Sequence, residues 1–135
     1  MLCDTGPLVA LINKRDADHQ RCARTMRSLS SVELVTTWAC ITESMYLLGK
    51  WGGIGPQDVL WEYLARGLVS LHEPADGEWQ RMRELMNDYA DTPMDFADAS
   101  LVAAGETLNQ RRIFTTDGHF RIYRQQQGHA FEIVP

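Results

Sequence analysis

The opening stretch MLCDTGPLVALIN (residues 1–13) decides the reading of the fold. Leu2 and Cys3 form a short apolar run that stops at an acid, Asp4, and Gly6-Pro7 then opens a helical stretch over residues 8–13. A strand, an acid, a turn and a helix follow in that order, and related patterns return downstream. Residues 32–37 (VELVTT) are rich in β-branched side chains and lead into residues 41–50, where Ile41, Met45 and Leu48 recur at helical spacing. Residues 52–56 (GGIGP) make a turn that puts Pro56 at the first position of a third helix, with Val59, Leu60, Tyr63 and Leu64 on one face. Residues 68–71 (LVSL) read as a short strand closed by Pro74. Residues 76–89 place Trp79, Met82, Met86 and Tyr89 at intervals that predict an amphipathic helix. Thr92-Pro93 offers an N-cap and a first-turn proline for a helix running to about Leu108. Residues 112–116 (RIFTT) are a strand ending in Asp117, and residues 131–134 are the last strand. Such alternation predicts helices on both faces of a mostly parallel sheet, because parallel neighbours need a crossover that is usually helical. The functional cleft of such a sheet lies beyond the carboxyl ends of its strands, where Asp4 and Asp117 fall.

A length of 135 residues predicts one domain over residues 1–135. No stretch approaches the ~20 apolar residues that cross a bilayer, and the N-terminus reads as a strand rather than a leader, so no membrane association and a cytoplasmic location are expected. Cys3, Cys22 and Cys40 form no CxxC pair, and the histidines at 19, 72, 119 and 129 are scattered, which argues against a disulfide framework and against zinc. The net charge of −5 argues at first against a nucleic-acid partner, but its distribution changes that reading. Lys14, Arg15, Arg21, Arg24 and Arg27 outnumber Asp16 and Asp18 by three, whereas residues 73–98 carry eight acids against Arg81 and Arg83. From Arg111 onward four arginines face Asp117 and Glu132. Basic flanks around an acidic centre suit a site where carboxylates hold metal ions and arginines hold phosphates; solvated helix faces are the plainer reading.

Four acids converge on the expected cleft: Asp4 after the first strand, Glu43 early in the second helix, Asp98 in the helix before the fourth strand, and Asp117 after that strand. Each has a structural reading of its own. Asp4 can cap a helix, Glu43 suits a helix N-terminus, Thr92-x-x-Asp95 resembles a capping box, and Asp117 sits in a turn sequence. Asp98 is harder to explain structurally, since it lies amid the small apolar residues Ala97, Ala99, Val102, Ala103 and Ala104. Clustered carboxylates repel one another, and without Cys or His ligands they select hard cations such as Mg²⁺ or Mn²⁺. Two such ions ~3.5–4 Å apart would serve in-line attack on a phosphodiester.

The segments LCDTGPLVALIN, TTWACITESMYLL, MDFADASLVAAGETL and TTDGHFRIYR resemble, in order, the four motif regions of PIN-domain ribonucleases, in particular VapC-type toxins of toxin-antitoxin pairs. The resemblance implies a three-layer α/β fold with a mostly parallel five-stranded sheet flanked by helices, and Mg²⁺- or Mn²⁺-dependent endonucleolytic cleavage of RNA. It makes Asp4, Glu43, Asp98 and Asp117 the catalytic acids, with Asp4, Asp95, Asp98 and Asp117 as metal ligands, and leaves open whether Asp95 or Asp98 ligates directly. Thr5 and either Thr115 or Thr116 match hydroxyl positions near the family's site. A cognate antitoxin and a homodimer are further implications. In the resembling toxins the helix pair around residues 52–56 receives an antitoxin segment, so Met45, Leu48, Trp51 and Trp61 form either part of a partner groove or ordinary core. The four tryptophans, at 38, 51, 61 and 79, read mostly as packing residues, and Arg111, Arg112, Arg121 and Arg124 as phosphate contacts or solvated side chains. Two non-enzymatic alternatives stand beside this reading. One is a receiver-like module, against which Lys14 and Lys50 are the only lysines and none follows a later strand; the other is a PIN-like module that binds RNA without cutting it.

Overall fold

The computed structural model describes residues 1–29 and 31–135. Strands β1 (Leu2–Cys3), β2 (Leu34–Thr36), β3 (Val69–Leu71), β4 (Arg112–Phe114) and β5 (Glu132–Val134) form one sheet in the order β3-β2-β1-β4-β5, with every ladder parallel. The connections carry helices α1 (Thr5–Ile12), α2 (His19–Ser28), α3 (Trp38–Gly52), α4 (Ile54–Ala65), α5 (Glu78–Asp88) and α6 (Phe96–Thr107). The period of two along each strand then sorts side chains to two cores. Leu2 and Ile113 pack with Met82, Leu85, Leu101 and Val102 of α5 and α6. Cys3 and Phe114 face the other way, toward Leu8, Ile41, Leu48 and Leu60 of α1, α3 and α4. The result is the three-layer α/β architecture that the alternation predicts.

Helix starts differ from the sequence reading. Helix α1 begins at Thr5 rather than Leu8, with Asp4 as its N-cap. Pro56 is the third residue of α4, not the first; first-turn N–H groups have no acceptor within the helix, so proline is tolerated there too. The cap of α6 is Asp95, whose Oδ1 accepts the Asp98 N–H at 2.8 Å, and Thr92-Pro93 belongs to the preceding turn. Helix α2 lay outside the predicted elements because it buries only Cys22 and most of its other residues are polar.

All four tryptophans are substantially exposed, from 41% at Trp51 to 62% at Trp79, which corrects the packing assignment. Helical periodicity locates an apolar stripe but not its inner edge. The core positions belong to Leu48, Leu60, Met82 and Leu85, while the neighbouring indoles fall on the outer faces. Leu48 is fully buried and cannot line a partner groove. Among the described residues no helix is long and apolar enough to cross a membrane.

Candidate active site

The chain leaves the central strand β1, runs outward through β2 and β3, then resumes on the other side of β1 with β4 and β5. This reversal puts the switch point of the sheet between β1 and β4, and the segments that follow both strands meet there. The Asp4 N–H donates to the Phe114 carbonyl at 3.0 Å. Asp4 Oδ1 accepts the Thr5 N–H and Oδ2 accepts the Thr115 hydroxyl, each at 2.6 Å. Thr115 Oγ1 in turn accepts the Asp117 N–H at 2.9 Å, so one hydroxyl joins Asp4 to the loop that carries Asp117. Gly6 makes this approach possible, because a Cβ there would run into Thr116 Oγ1. On the other side the Thr5 hydroxyl donates to Glu43 Oε2 at 2.7 Å, linking α1 to α3. Asp98, in the first turn of α6, accepts the Tyr123 hydroxyl on Oδ2 at 3.0 Å. The starts of α3 and α6 are tied by a hydrogen bond of 2.7 Å between the Thr37 and Ser100 hydroxyls.

Two solved structures share this arrangement of elements. The crystal structure of Mycobacterium tuberculosis VapC20, described as a sarcin-ricin loop cleaving toxin, matches with a TM-score of 0.77 and 24% identity over 87% of this chain and 89% of that one. FitAcB from Neisseria gonorrhoeae matches with a TM-score of 0.56 and 18% identity over 86% of each chain. This is a PIN-like fold. No family model matches the sequence, and no curated protein does; at these identities the likeness is one of fold.

Electrostatics binds the acids of the PIN-like cleft into one neighbourhood. Asp4 and Asp98 are buried, with 6% and 8% exposure. Burial pushes the Asp4 carboxyl up to about 6; the Thr115 and Thr5 hydrogen bonds oppose this, and the charges of Asp117 and Glu43 add to it. Burial likewise pushes Asp98 up to about 7, reinforced by Asp95, opposed by the Tyr123 hydroxyl, and raised further by Asp4 and Asp117. Among the described residues no Lys, Arg or His forms an ion pair with Asp4, Glu43, Asp95 or Asp98. Among the described residues Asp117 pairs only with His119, at 3.0 Å and partly exposed.

The donors at the cleft are carboxylate and hydroxyl oxygens. Burial holds the nearby Cys3 thiol well above its ordinary range and pushes Cys40 up to about 12, which disfavours thiolate ligands. Among the described residues no three His, Cys, Asp or Glu side chains stand close enough together to ligate one ion directly. Mg²⁺ does not need such a cage, since it keeps several waters and is usually held by one or two carboxylates together with substrate phosphates. The residues present fit an ion of that kind.

The sequence reading left Thr115 and Thr116 as alternatives; Thr115 holds Asp4, while Thr116 packs on Gly6. Tyr123 was missed altogether. It is fully buried, edge-on to Tyr89 and Phe120, and aimed at Asp98. The spacing of Phe120 and Tyr123 after Asp117 was its available signal. Of the arginines considered for phosphate contact, Arg112 pairs with Glu132 and Arg124 donates to the carbonyls of residues 121–123, whereas Arg111 and Arg121 have no ion-pair partner among the described residues.

Proposed function

We propose that this chain is a Mg²⁺- or Mn²⁺-dependent endoribonuclease and the toxin component of a toxin-antitoxin pair, acting as a single domain. The reading is supported by Asp4 and Asp98, whose carboxyls are buried, pushed up by that burial and by a neighbourhood of acids that includes Asp117, and without a cationic side chain among the described residues. A buried charge without a partner is costly, so such a set calls for a cation from outside the chain. The fold neighbour VapC20, described as a sarcin-ricin loop cleaving toxin, supports RNA as substrate and a toxin role. A cognate antitoxin and a homodimer belong to the same reading.

In this proposal Asp4 and Asp98 hold the ion, with Asp95 and Asp117 beside them. A bound divalent ion supplies an activated water and neutralises charge on the phosphodiester. The chain supplies the orientation. The Thr5 N–H and the Thr115 hydroxyl fix both oxygens of Asp4, and Tyr123 fixes Oδ2 of Asp98. Thr5 anchors Oε2 of Glu43 and leaves Oε1 to accept a proton. The test is a metal-titrated RNA cleavage assay with end mapping. Cleavage that requires Mg²⁺ or Mn²⁺ and stops with EDTA is the expected result, and RNA binding without cleavage at any metal concentration would assign the chain to the non-catalytic class instead.

A further inference from the structure

Trp38 and Phe96 are the first residues of α3 and α6, 47% and 59% exposed, and they line one cavity of about 90 Å³. Phe96 precedes Asp98 by two residues, and the Thr37–Ser100 hydrogen bond holds the two helix starts together. His72 and Met82 also line the cavity. His72 is buried, its Nε2 lies 2.9 Å from both oxygens of Glu78, and its Nδ1 has no hydrogen-bond partner among the described residues. The cavity thus has aromatic side chains and a histidine ring whose Nδ1 takes no protein partner among the described residues. Large aromatic surface left in water forgoes the stabilisation that burial would give, so this pair favours an occupant.

We propose that this cavity is a nucleobase pocket, seating one unpaired base of an RNA strand, with Trp38 and Phe96 as its stacking surfaces. The proposal rests on the ribonuclease reading and adds a subsite to it. Proteins read single-stranded RNA by splaying bases onto aromatic side chains and hydrogen-bonding their edges, and every base offers a π-face. A base edge also carries donors and acceptors for His72 Nδ1, which an aliphatic side chain of a protein partner would leave unpaired. The cavity is far smaller than the ~300 Å³ at which pockets enclose a whole ligand. It therefore takes the edge of a ring and leaves ribose and phosphate outside.

The test measures binding of a short labelled single-stranded RNA to the full chain, with Ca²⁺ in place of Mg²⁺, for the wild type and for Trp38→Ala, Phe96→Ala, Trp38→Leu and Trp38→Phe. Circular dichroism and light scattering on the same samples follow fold and oligomeric state. Loss of a stacking partner weakens binding roughly 10-fold or more. The alanine variants and Trp38→Leu show that loss, and Trp38→Phe recovers most of the affinity. Unchanged affinity in the alanine variants overturns the pocket, as does wild-type affinity in Trp38→Leu, which marks an apolar socket for a protein partner. Dissociation of a dimer in the alanine variants overturns it too, by assigning the aromatics to an interface between copies. Cleavage in Mg²⁺ with affinity indifferent to Trp38 and Phe96 refutes the pocket alone. Aromatic-dependent binding without cleavage refutes only the ribonuclease reading.

Discussion

Glu78, at the start of α5, and Asp98, at the switch point, are buried to a similar degree, with 6% and 8% exposure, but they keep different company. Glu78 has His72 Nε2 at 2.9 Å from both of its oxygens, and it accepts the Ala75 N–H and the Thr107 hydroxyl. Glu106, also largely covered, receives two bonds from the Arg81 guanidinium at 2.9 and 3.0 Å. Each of these carboxylates has a partner able to carry positive charge. Among the described residues Asp98 accepts only a tyrosine hydroxyl, and Asp4 only a backbone N–H and a threonine hydroxyl. The difference separates acids that hold the fold together from acids left short of positive charge, and the second kind occur together at the cleft.

The largest break in this comparison comes from neutralising the cleft. Substitution of partners around a metal ligand typically costs 10–100-fold, so removal of a ligand itself in Asp4→Asn or Asp98→Asn should lower RNA cleavage by more than about 100-fold while the fold is kept. Retained cleavage in both variants would refute the assignment. The opposite perturbation, His72→Ala, removes a hydrogen-bond donor from a buried carboxylate and should cost about 2–3 kcal/mol of stability in denaturant unfolding. A loss under ~1 kcal/mol would mean that Glu78 needs no partner. Tyr123→Phe keeps the ring and deletes the donor to Asp98, so cleavage should fall about 10-fold, with a higher metal concentration needed for half-maximal rate. An unchanged metal requirement would limit Tyr123 to packing.

The smallest effect concerns pH. In the folded, metal-free protein Asp4 and Asp98 hold protons up to about 6 and about 7, whereas unfolding returns them to the ordinary value of 3.8. The folded state therefore binds more protons across that window, and the contribution of these groups to stability falls as pH rises from about 4 to about 7. Thermal melts in EDTA should place wild type and Asp98→Asn closer together at about pH 5 than at about pH 7.5, where the variant gains on the order of a few degrees. A constant difference between the two pH values would contradict the burial argument.

Much of this was legible in the sequence because it depends on local order along the chain. A short apolar run ending in Asp4, and a later one leading to Asp117, locate the carboxyl ends of β1 and β4, and alternation with helical patterns requires a parallel sheet. Strand order and contacts between distant residues were not legible. Nothing local joins Thr115 to Asp4, Tyr123 to Asp98 or His72 to Glu78, since each pair is made by packing. The tryptophans misled for the same reason, because hydrophobicity ranks an indole as core while the helix's orientation on the sheet decides its exposure.

The most direct test of the central claim is a calorimetric titration of Mn²⁺ into the metal-free protein at neutral pH, with Asp4→Asn and Asp98→Asn alongside. Saturable binding by the wild type, accompanied by proton release and abolished or greatly weakened in both variants, is the predicted result. Absence of binding to the wild type, or equal affinity in all three proteins, would contradict the account.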